Sequence, residues 1–111
     1  MITETFLSID VADMQRAVEF YVEALGASVA FSSERWSSLR IAGVRVGLAQ
    51  VDRTSGRRTG IHFVVSDLAI ACDVVVGAGG RVVLSATEVA PGVFVADVTD
   101  PEGNTFTFTR A

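Results

Sequence analysis

The sequence predicts an α+β fold built from two copies of a β-α-β-β-β module. Two observations support this prediction. Residues 8–13 align with residues 62–67, and the apolar pattern stays in phase over about twenty residues. Within each copy the hydrophobic period changes from two residues to about 3.6 residues and back again. We therefore expect one domain with helices on one face of mixed sheets, comprising module one (1–51), a polar linker (52–59) and module two (60–111).

Module one begins with a strand in which Leu7, Ile9 and Val11 occupy alternate positions. Asp13 then stands where a helix N-cap is expected, and Gly26 can adopt the left-handed conformation that ends a helix. The period returns to two after this helix. Further strands are expected over residues 27–32, 36–42 and 44–51.

Module two repeats the same order of elements. A strand near residues 61–65 precedes a helix capped by Ser66 or Asp67 and ended by a glycine-rich stretch at 77–80. Residues 100–104 read Asp-Pro-Glu-Gly-Asn, which is typical of a turn because proline fixes φ and glycine or asparagine accepts a positive φ. The later strands are expected over residues 81–86, 92–98 and 105–110.

Composition excludes several kinds of site. Cys72 is the single cysteine and His62 the single histidine, so neither an intrachain disulfide nor a site with two imidazoles is possible. The chain has no lysine, which excludes a Schiff base, and its net charge of −4 argues against a nucleic-acid partner. No apolar run is long enough for a membrane span and no leader is recognisable, so we expect a cytoplasmic protein.

The two faces of the predicted sheets differ in chemistry. Alternation places the large apolar side chains on the helix side. The other face combines aromatic, hydroxyl and charged groups, as the lining of a small-molecule pocket does. The alternative is that this face only packs against a partner module or meets water. Its candidate ligand-binding residues are Phe6, Ser8, Asp10, Trp36, Ser38, Arg40, Arg45, His62, Phe94, Thr105 and Thr107.

Two stretches resemble a known superfamily. The Phe20-Tyr21 and Leu25-Gly26 pairs that follow Asp13, together with residues 100–104, are similar to the vicinal oxygen chelate superfamily. This superfamily contains glyoxalase I, bleomycin-resistance proteins and extradiol dioxygenases. The resemblance implies curved sheets around a cavity with the helices outside. It also implies a homodimer, in which module one of one chain and module two of the other complete the cavity.

The resemblance also implies where a metal would bind. Metal-dependent members hold a divalent ion with side chains from the first and last strands of each module. The matching positions here are Phe6, Gly47, Gly60 and Thr107, and none offers the imidazole or carboxylate such an ion needs. His62 lies two residues beyond the expected position. We therefore expect no cofactor and a likeness to the metal-free, bleomycin-resistance-like branch.

The expected function is metal-independent binding of an antibiotic-like or planar aromatic molecule. Phe6, Trp36 and Phe94 can stack on a flat ligand, while nearby hydroxyl and guanidinium groups supply polar contacts. Two alternatives remain open. The protein is a lyase or isomerase that uses His62 and Asp10 as acid and base, or it is a metal-dependent glyoxalase-like enzyme with a non-standard site.

Overall fold

The computed structural model describes residues 1–111 and divides into two compact units, unit one (1–54) and unit two (55–111). The elements of unit one are β1 (Leu7–Val11), α1 (Met14–Leu25), β2 (Ser28–Ser32), β3 (Trp36–Ile41) and β4 (Val44–Gln50). Those of unit two are β5 (Arg58–Val64), α2 (Leu68–Gly77), β6 (Arg81–Ala90), β7 (Val93–Thr99) and β8 (Thr105–Arg110). The predicted α+β class and the repeated β-α-β-β-β order are confirmed.

Each unit contains one four-stranded mixed sheet. The strand orders are β1-β4-β3-β2 and β5-β8-β7-β6. The first strand of each unit pairs in parallel with the last, and the remaining pairs are antiparallel. In this arrangement Ser8 lies opposite Gly47, and His62 lies opposite Thr107. The first and last strands of each unit are thus neighbours in its sheet.

Both helices begin at the predicted caps. The Asp13 carboxylate accepts a hydrogen bond from the Arg16 amide at 3.1 Å, and Asp67 accepts one from the Ile70 amide at 3.0 Å. Gly26 adopts φ 66°, as expected for the residue that ends α1. Neither helix combines the length and apolar character that crossing a membrane requires.

The core of each unit lies between its helix and one face of its sheet. In unit two, the rings of Phe63 and Phe106 meet edge to face at 5.5 Å. Phe20 on α1 is only 1% exposed and belongs to the core of unit one. Two expected core residues, Leu7 and Val44, are exposed because they stand at the first positions of their strands.

Two strand boundaries differ from the prediction by more than one residue. Strand β6 continues to Ala90 and contains three register shifts against β7. Strand β5 begins at Arg58, inside the segment expected as a linker. The reason is that β8 extends the pairing: the Thr105 amide donates to the Arg57 carbonyl, and the Thr59 hydroxyl donates to the Thr105 carbonyl.

Candidate functional site

Each sheet has one face covered by the helix of its own unit and an opposite face, which we call the open face. The Ser37 hydroxyl donates to the Met14 sulfur of α1 at 3.2 Å, so Ser37 lies on the covered side. Its neighbours Trp36 and Ser38 therefore lie on the open face. The register places the other candidates of unit one beside them, namely Ser8, Asp10, Arg40, Arg45 and Gly47.

Two aromatic rings meet on the open face of unit one. Phe6 and Trp36 contact each other edge to face, with 5.9 Å between ring centroids and 78° between ring planes. Phe6 keeps 42% of its surface exposed, and Trp36 is half-buried. We call this pair the Phe6–Trp36 cluster. It presents aromatic surface of the kind that a flat organic ligand can contact.

Gly47 allows this cluster to form. A Cβ atom built at Gly47 would collide with Cη2 and Cζ2 of Trp36, so the indole ring lies directly over the glycine. Gly47 is also one of the four positions that the resemblance described above implies for metal ligands. A larger residue there would have to displace the indole ring before it could face a ligand.

Arg45 borders the aromatic cluster and is held from several sides. Its guanidinium carbon lies 4.3 Å from the centroid of the Phe6 ring. Its Nε donates to the Ser38 hydroxyl at 3.2 Å, and its Nη1 pairs with Glu4 Oε2 at 3.3 Å. Arg40 stands opposite Arg45 in the antiparallel register. The open face of unit one therefore offers aromatic surface next to fixed positive charge.

The open face of unit two carries a hydrogen-bonded polar group. The Thr107 hydroxyl donates to Asp97 Oδ1 at 2.6 Å, and Arg58 Nη1 pairs with Asp97 Oδ2 at 3.4 Å. His62 is exposed and lies opposite Thr107 in the β5–β8 register. Thr105 stands on the same face, opposite Arg58.

Asp97 was missed because the predicted alternation of β7 was displaced by one residue. Phe94 was expected on the open face, and this expectation is wrong. It stands opposite Arg110 on the covered side, with its ring centroid 6.0 Å from the Arg110 guanidinium carbon. A slip of one residue moves every side chain of a strand to the other face. The faces of β7 can be assigned correctly by counting residues back from the turn at 100–104, since Thr99 pairs with Thr105.

The residues present do not fit a divalent ion at the superfamily's metal positions. They supply one hydrocarbon ring, one hydroxyl and two glycines, at Phe6, Thr107, Gly47 and Gly60. The Thr107 hydroxyl is already bonded to Asp97. Gly60 has φ 74° and lies in the register irregularity of β5, where a side chain would be strained. Elsewhere, no group of three or more His, Cys, Asp or Glu residues is arranged so that it could hold a metal ion.

One well-formed cavity lies outside the predicted site. It has a volume of about 760 Å³ and opens beside the first turn of α1. Its lining contains three carboxylates, from Asp13, Glu19 and Glu34, but no aromatic ring and no cation. Without an aromatic ring this cavity cannot stack on a flat ligand, whereas the Phe6–Trp36 cluster can.

The fold and the two open faces place the chain in a class. Two β-α-β-β-β units with mixed sheets are the architecture of the vicinal oxygen chelate superfamily, which includes the glyoxalase/bleomycin resistance protein/dioxygenase proteins. Within that class, the profile of the glyoxalase-like domain matches residues 6–109. The chain therefore belongs to the glyoxalase-like domain family. Among curated proteins, none matches its sequence.

Solved structures show the same fold. A glyoxalase-related enzyme from Fulvimarina pelagi superposes with a TM-score of 0.85 at 18% identity, covering 100% of this chain and 89% of that one. A glyoxalase/bleomycin resistance protein/dioxygenase family enzyme from Burkholderia phytofirmans gives 0.81 at 19% identity and 95% coverage of each chain. The fosfomycin resistance protein FosX from Listeria monocytogenes gives 0.84 at 15% identity, covering 100% and 95%. Identities this low support the fold alone.

Proposed function

We propose that the protein is a metal-independent binding protein for planar aromatic, antibiotic-like molecules and that the open face of unit one is its binding surface. The observation that carries the proposal is the Phe6–Trp36 cluster. Its two rings meet edge to face and leave aromatic surface exposed. Ring contacts of this kind stabilise a bound flat ligand without any metal or covalent step.

Polar groups beside the cluster complete the proposed surface. Ser8 lies opposite Gly47, and Ser38 lies on the next strand, where its hydroxyl accepts a hydrogen bond from Arg45. Ser38 is buried and holds Arg45, whereas Ser8 is exposed. A hydroxyl both donates and accepts, so Ser8 can orient a ligand once its ring is in contact with the aromatic pair. Asp10 lies on the same face, in register with Ala49 of β4, which is itself opposite Trp36.

Metal independence is part of the proposal and rests on donor chemistry. Divalent ions of the first transition row bind imidazole, thiolate or carboxylate groups, which the four matching positions lack. Metal analysis of the purified protein should find zinc, iron, nickel and manganese well below one ion per chain. One tightly bound ion per chain would overturn this part and favour a metal-dependent enzyme with a non-standard site.

We further propose that the protein is a cytoplasmic homodimer and that it contributes to antibiotic resistance. FosX is described as a fosfomycin resistance protein, and the Burkholderia protein as a glyoxalase/bleomycin resistance protein/dioxygenase family enzyme, which supports this direction. Exposed apolar side chains on β6, such as Val83 and Val89, support association with a second copy. The second copy would complete each binding site, and a two-fold arrangement would give two equal sites.

Fluorescence of Trp36, the single tryptophan, tests the proposal directly. The probe is N-phenyl-1-naphthylamine, a neutral molecule with a flat naphthalene ring that accepts energy from tryptophan. We expect saturable quenching of Trp36 and about tenfold weaker binding in Phe6→Ala, because one aromatic contact is lost. Phe94→Ala, on the covered side of unit two, should bind the probe normally. Failure of this probe and of a panel of planar antibiotics to change Trp36 emission would refute the proposal.

A second candidate function is that of a lyase or isomerase with His62 as the proton carrier. His62 and Asp10 lie in different units, but His62 stands opposite Thr107, whose hydroxyl bonds to Asp97 in the same unit. An imidazole on a face with an ordered carboxylate is suited to proton transfer. In this case His62→Ala abolishes turnover while probe binding persists. Loss of binding alone would argue against acid–base chemistry.

A further inference from the structure

We propose that the open face of unit one selects aromatic anions: flat rings bearing a carboxylate or sulfonate, whose acid group binds Arg40 and Arg45 and displaces Glu4. This inference rests on the proposed function of the Phe6–Trp36 cluster and adds the charge of the ligand to it. Three features of the face favour such a ligand: a pair of neighbouring arginines, a guanidinium held in a fixed position, and an exposed Glu4 carboxylate that is weakly bound.

The first feature is a pair of like charges on neighbouring strands. Arg40 on β3 and Arg45 on β4 are directly opposite in the antiparallel register. Like charges at directly opposite positions destabilise a sheet. The Glu4 carboxylate pairs with Arg45, while Arg40 donates to the carbonyl of Gly43 at 3.3 Å. The two arginines therefore carry more positive charge than Glu4 neutralises, and a ligand anion would relieve their repulsion.

The second feature is that the Arg45 guanidinium is already oriented for an anion. Ser38 holds its Nε, and the Phe6 ring lies beneath it at 4.3 Å. A guanidinium has five N–H donors in a planar fork, which is more than the Ser38 and Glu4 bonds use. Because its position is fixed by neutral neighbours, little conformational entropy is lost when an acid group binds to it.

The third feature is that the ion pair between Glu4 and Arg45 is weak. This residue precedes β1 in a segment without regular structure, and its side chain is 57% exposed. Its 3.3 Å pair with Arg45 lies in high-dielectric surroundings, where an ion pair contributes little stability. An acid group on a ligand that also contacts the rings has an additional attraction that Glu4 lacks. Glu4 thus acts as a replaceable occupant of the anion site.

The spacing of the face sets the size of the ligand. Arg45 and Gly47 are two residues apart on β4, which corresponds to about 7 Å along a strand. The Trp36 indole covers Gly47, so the acid site and the aromatic surface are separated by roughly that distance. A naphthalene-sized ring with its acid group attached directly to the ring spans both.

A matched pair of probes tests this inference. The compound 8-anilinonaphthalene-1-sulfonate has the skeleton of N-phenyl-1-naphthylamine with one added sulfonate. In titrations followed by Trp36 quenching, we expect the sulfonate to bind about tenfold more tightly than the neutral probe in low salt, and this ratio to fall as salt is raised. In Phe6→Ala both probes should bind more weakly, which shows that both report on this face.

Charge variants identify the groups responsible. Arg40→Gln and Arg45→Gln should each lower the sulfonate-to-neutral affinity ratio severalfold, and the double variant should bring it close to one. Glu4→Gln should raise sulfonate affinity severalfold and leave the neutral probe unchanged. Arg110→Gln, which removes an exposed arginine of unit two, is the control and should preserve the ratio. Arg40 is exposed, so its variant gives a readable result even where Arg45→Gln perturbs folding.

The outcomes separate the two proposals. If neither probe quenches Trp36, the proposed function fails. If the neutral probe binds and the sulfonate has no advantage, or keeps its advantage in Arg40→Gln and in the double variant, the binding function stands and the selection of anions is overturned.

Discussion

At the scale of single residues, Gly47 determines the geometry of the candidate site. The Trp36 ring occupies the space that a Gly47 side chain would need, and it contacts Phe6 from there. A position that could bear a metal ligand in this fold therefore supports an aromatic surface instead. The consequence can be tested by adding a single methyl group.

We predict that Gly47→Ala destabilises the protein by about 1–3 kcal/mol, because the new Cβ overlaps the indole ring and forces it to move. Urea unfolding measures the loss, and a change in the native emission maximum of Trp36 reports the displaced ring. Gly77→Ala is the matched control, since nothing lies within 4 Å of its Cβ position. Its effect should stay within about 1 kcal/mol. Equal stability losses in the two variants would contradict the prediction.

Cys72 is half-buried on α2. Burial, together with the neighbouring Asp73 carboxylate, raises the pKa of the Cys72 thiol above its usual value of 9.0. The folded state therefore keeps the thiol proton longer than the unfolded chain. This stabilisation is present below pH 9 and is lost as pH rises through the raised pKa.

We predict that the difference in unfolding free energy between the wild type and Cys72→Ser changes with pH. Relative to Cys72→Ser, the wild type should lose stability between about pH 8 and pH 10, while the two change in parallel from pH 6 to pH 8. Urea midpoints at four pH values measure this. A constant difference across the whole range would show that the thiol does not titrate differently in the folded state.

At the scale of elements, the turn at 100–104 closes the β7–β8 hairpin through buried polar groups. Asn104 is fully buried, its side-chain amide donates to Asp100 at 2.8 Å, and its carbonyl oxygen accepts from the Arg57 amide at 3.2 Å. The same side chain thus joins the turn to the residue before β5. The sequence predicted the turn from its Pro, Gly and Asn residues, but it did not predict this link.

We predict that Asn104→Ala costs about 2–3 kcal/mol, because it leaves buried hydrogen-bonding groups without partners. Glu88→Ala is the control from the β6–β7 turn, where the carboxylate accepts an exposed bond from the Gly92 amide. Its cost should be below about 0.5 kcal/mol. Chemical denaturation of both variants measures the contrast, and similar losses would contradict the argument.

The two helix caps offer a symmetric prediction. Asp13→Ala and Asp67→Ala should each cost about 1 kcal/mol, because each carboxylate satisfies one amide of the first helical turn. The corresponding asparagine variants should retain most of the stability, since asparagine caps about as well as aspartate. Urea midpoints of the four variants test this. An asparagine variant as unstable as its alanine counterpart would show that charge, and not the cap bond, matters.

At the scale of the whole molecule, we predict association into a homodimer. Sedimentation equilibrium should give about twice the 11.7 kDa of one chain at the concentrations where the aromatic probes bind. Two equal sites per dimer follow from two-fold symmetry. A species of one chain mass that binds probe with unchanged affinity would contradict both the dimer and its role in completing the site.

The order of elements, both N-caps, the Gly26 helix end and the turn at 100–104 were predictable from the sequence, because each depends on residues within one short segment. Which face of a strand meets the helix depends on pairing between distant segments. A displacement of one residue therefore put Phe94 on the wrong face and hid Asp97.

The candidate site divides in the same way. The sequence by itself determined which groups unit one can offer, namely Phe6, Trp36 and the arginines of β3 and β4, and that ligands for a metal are lacking at the four matching positions. Only the tertiary structure decided that the indole lies over Gly47 and that Glu4 reaches Arg45 from 41 residues away. Such contacts depend on how side chains from distant segments pack together on the sheet. The hydrophobic periodicity of a single segment does not encode them.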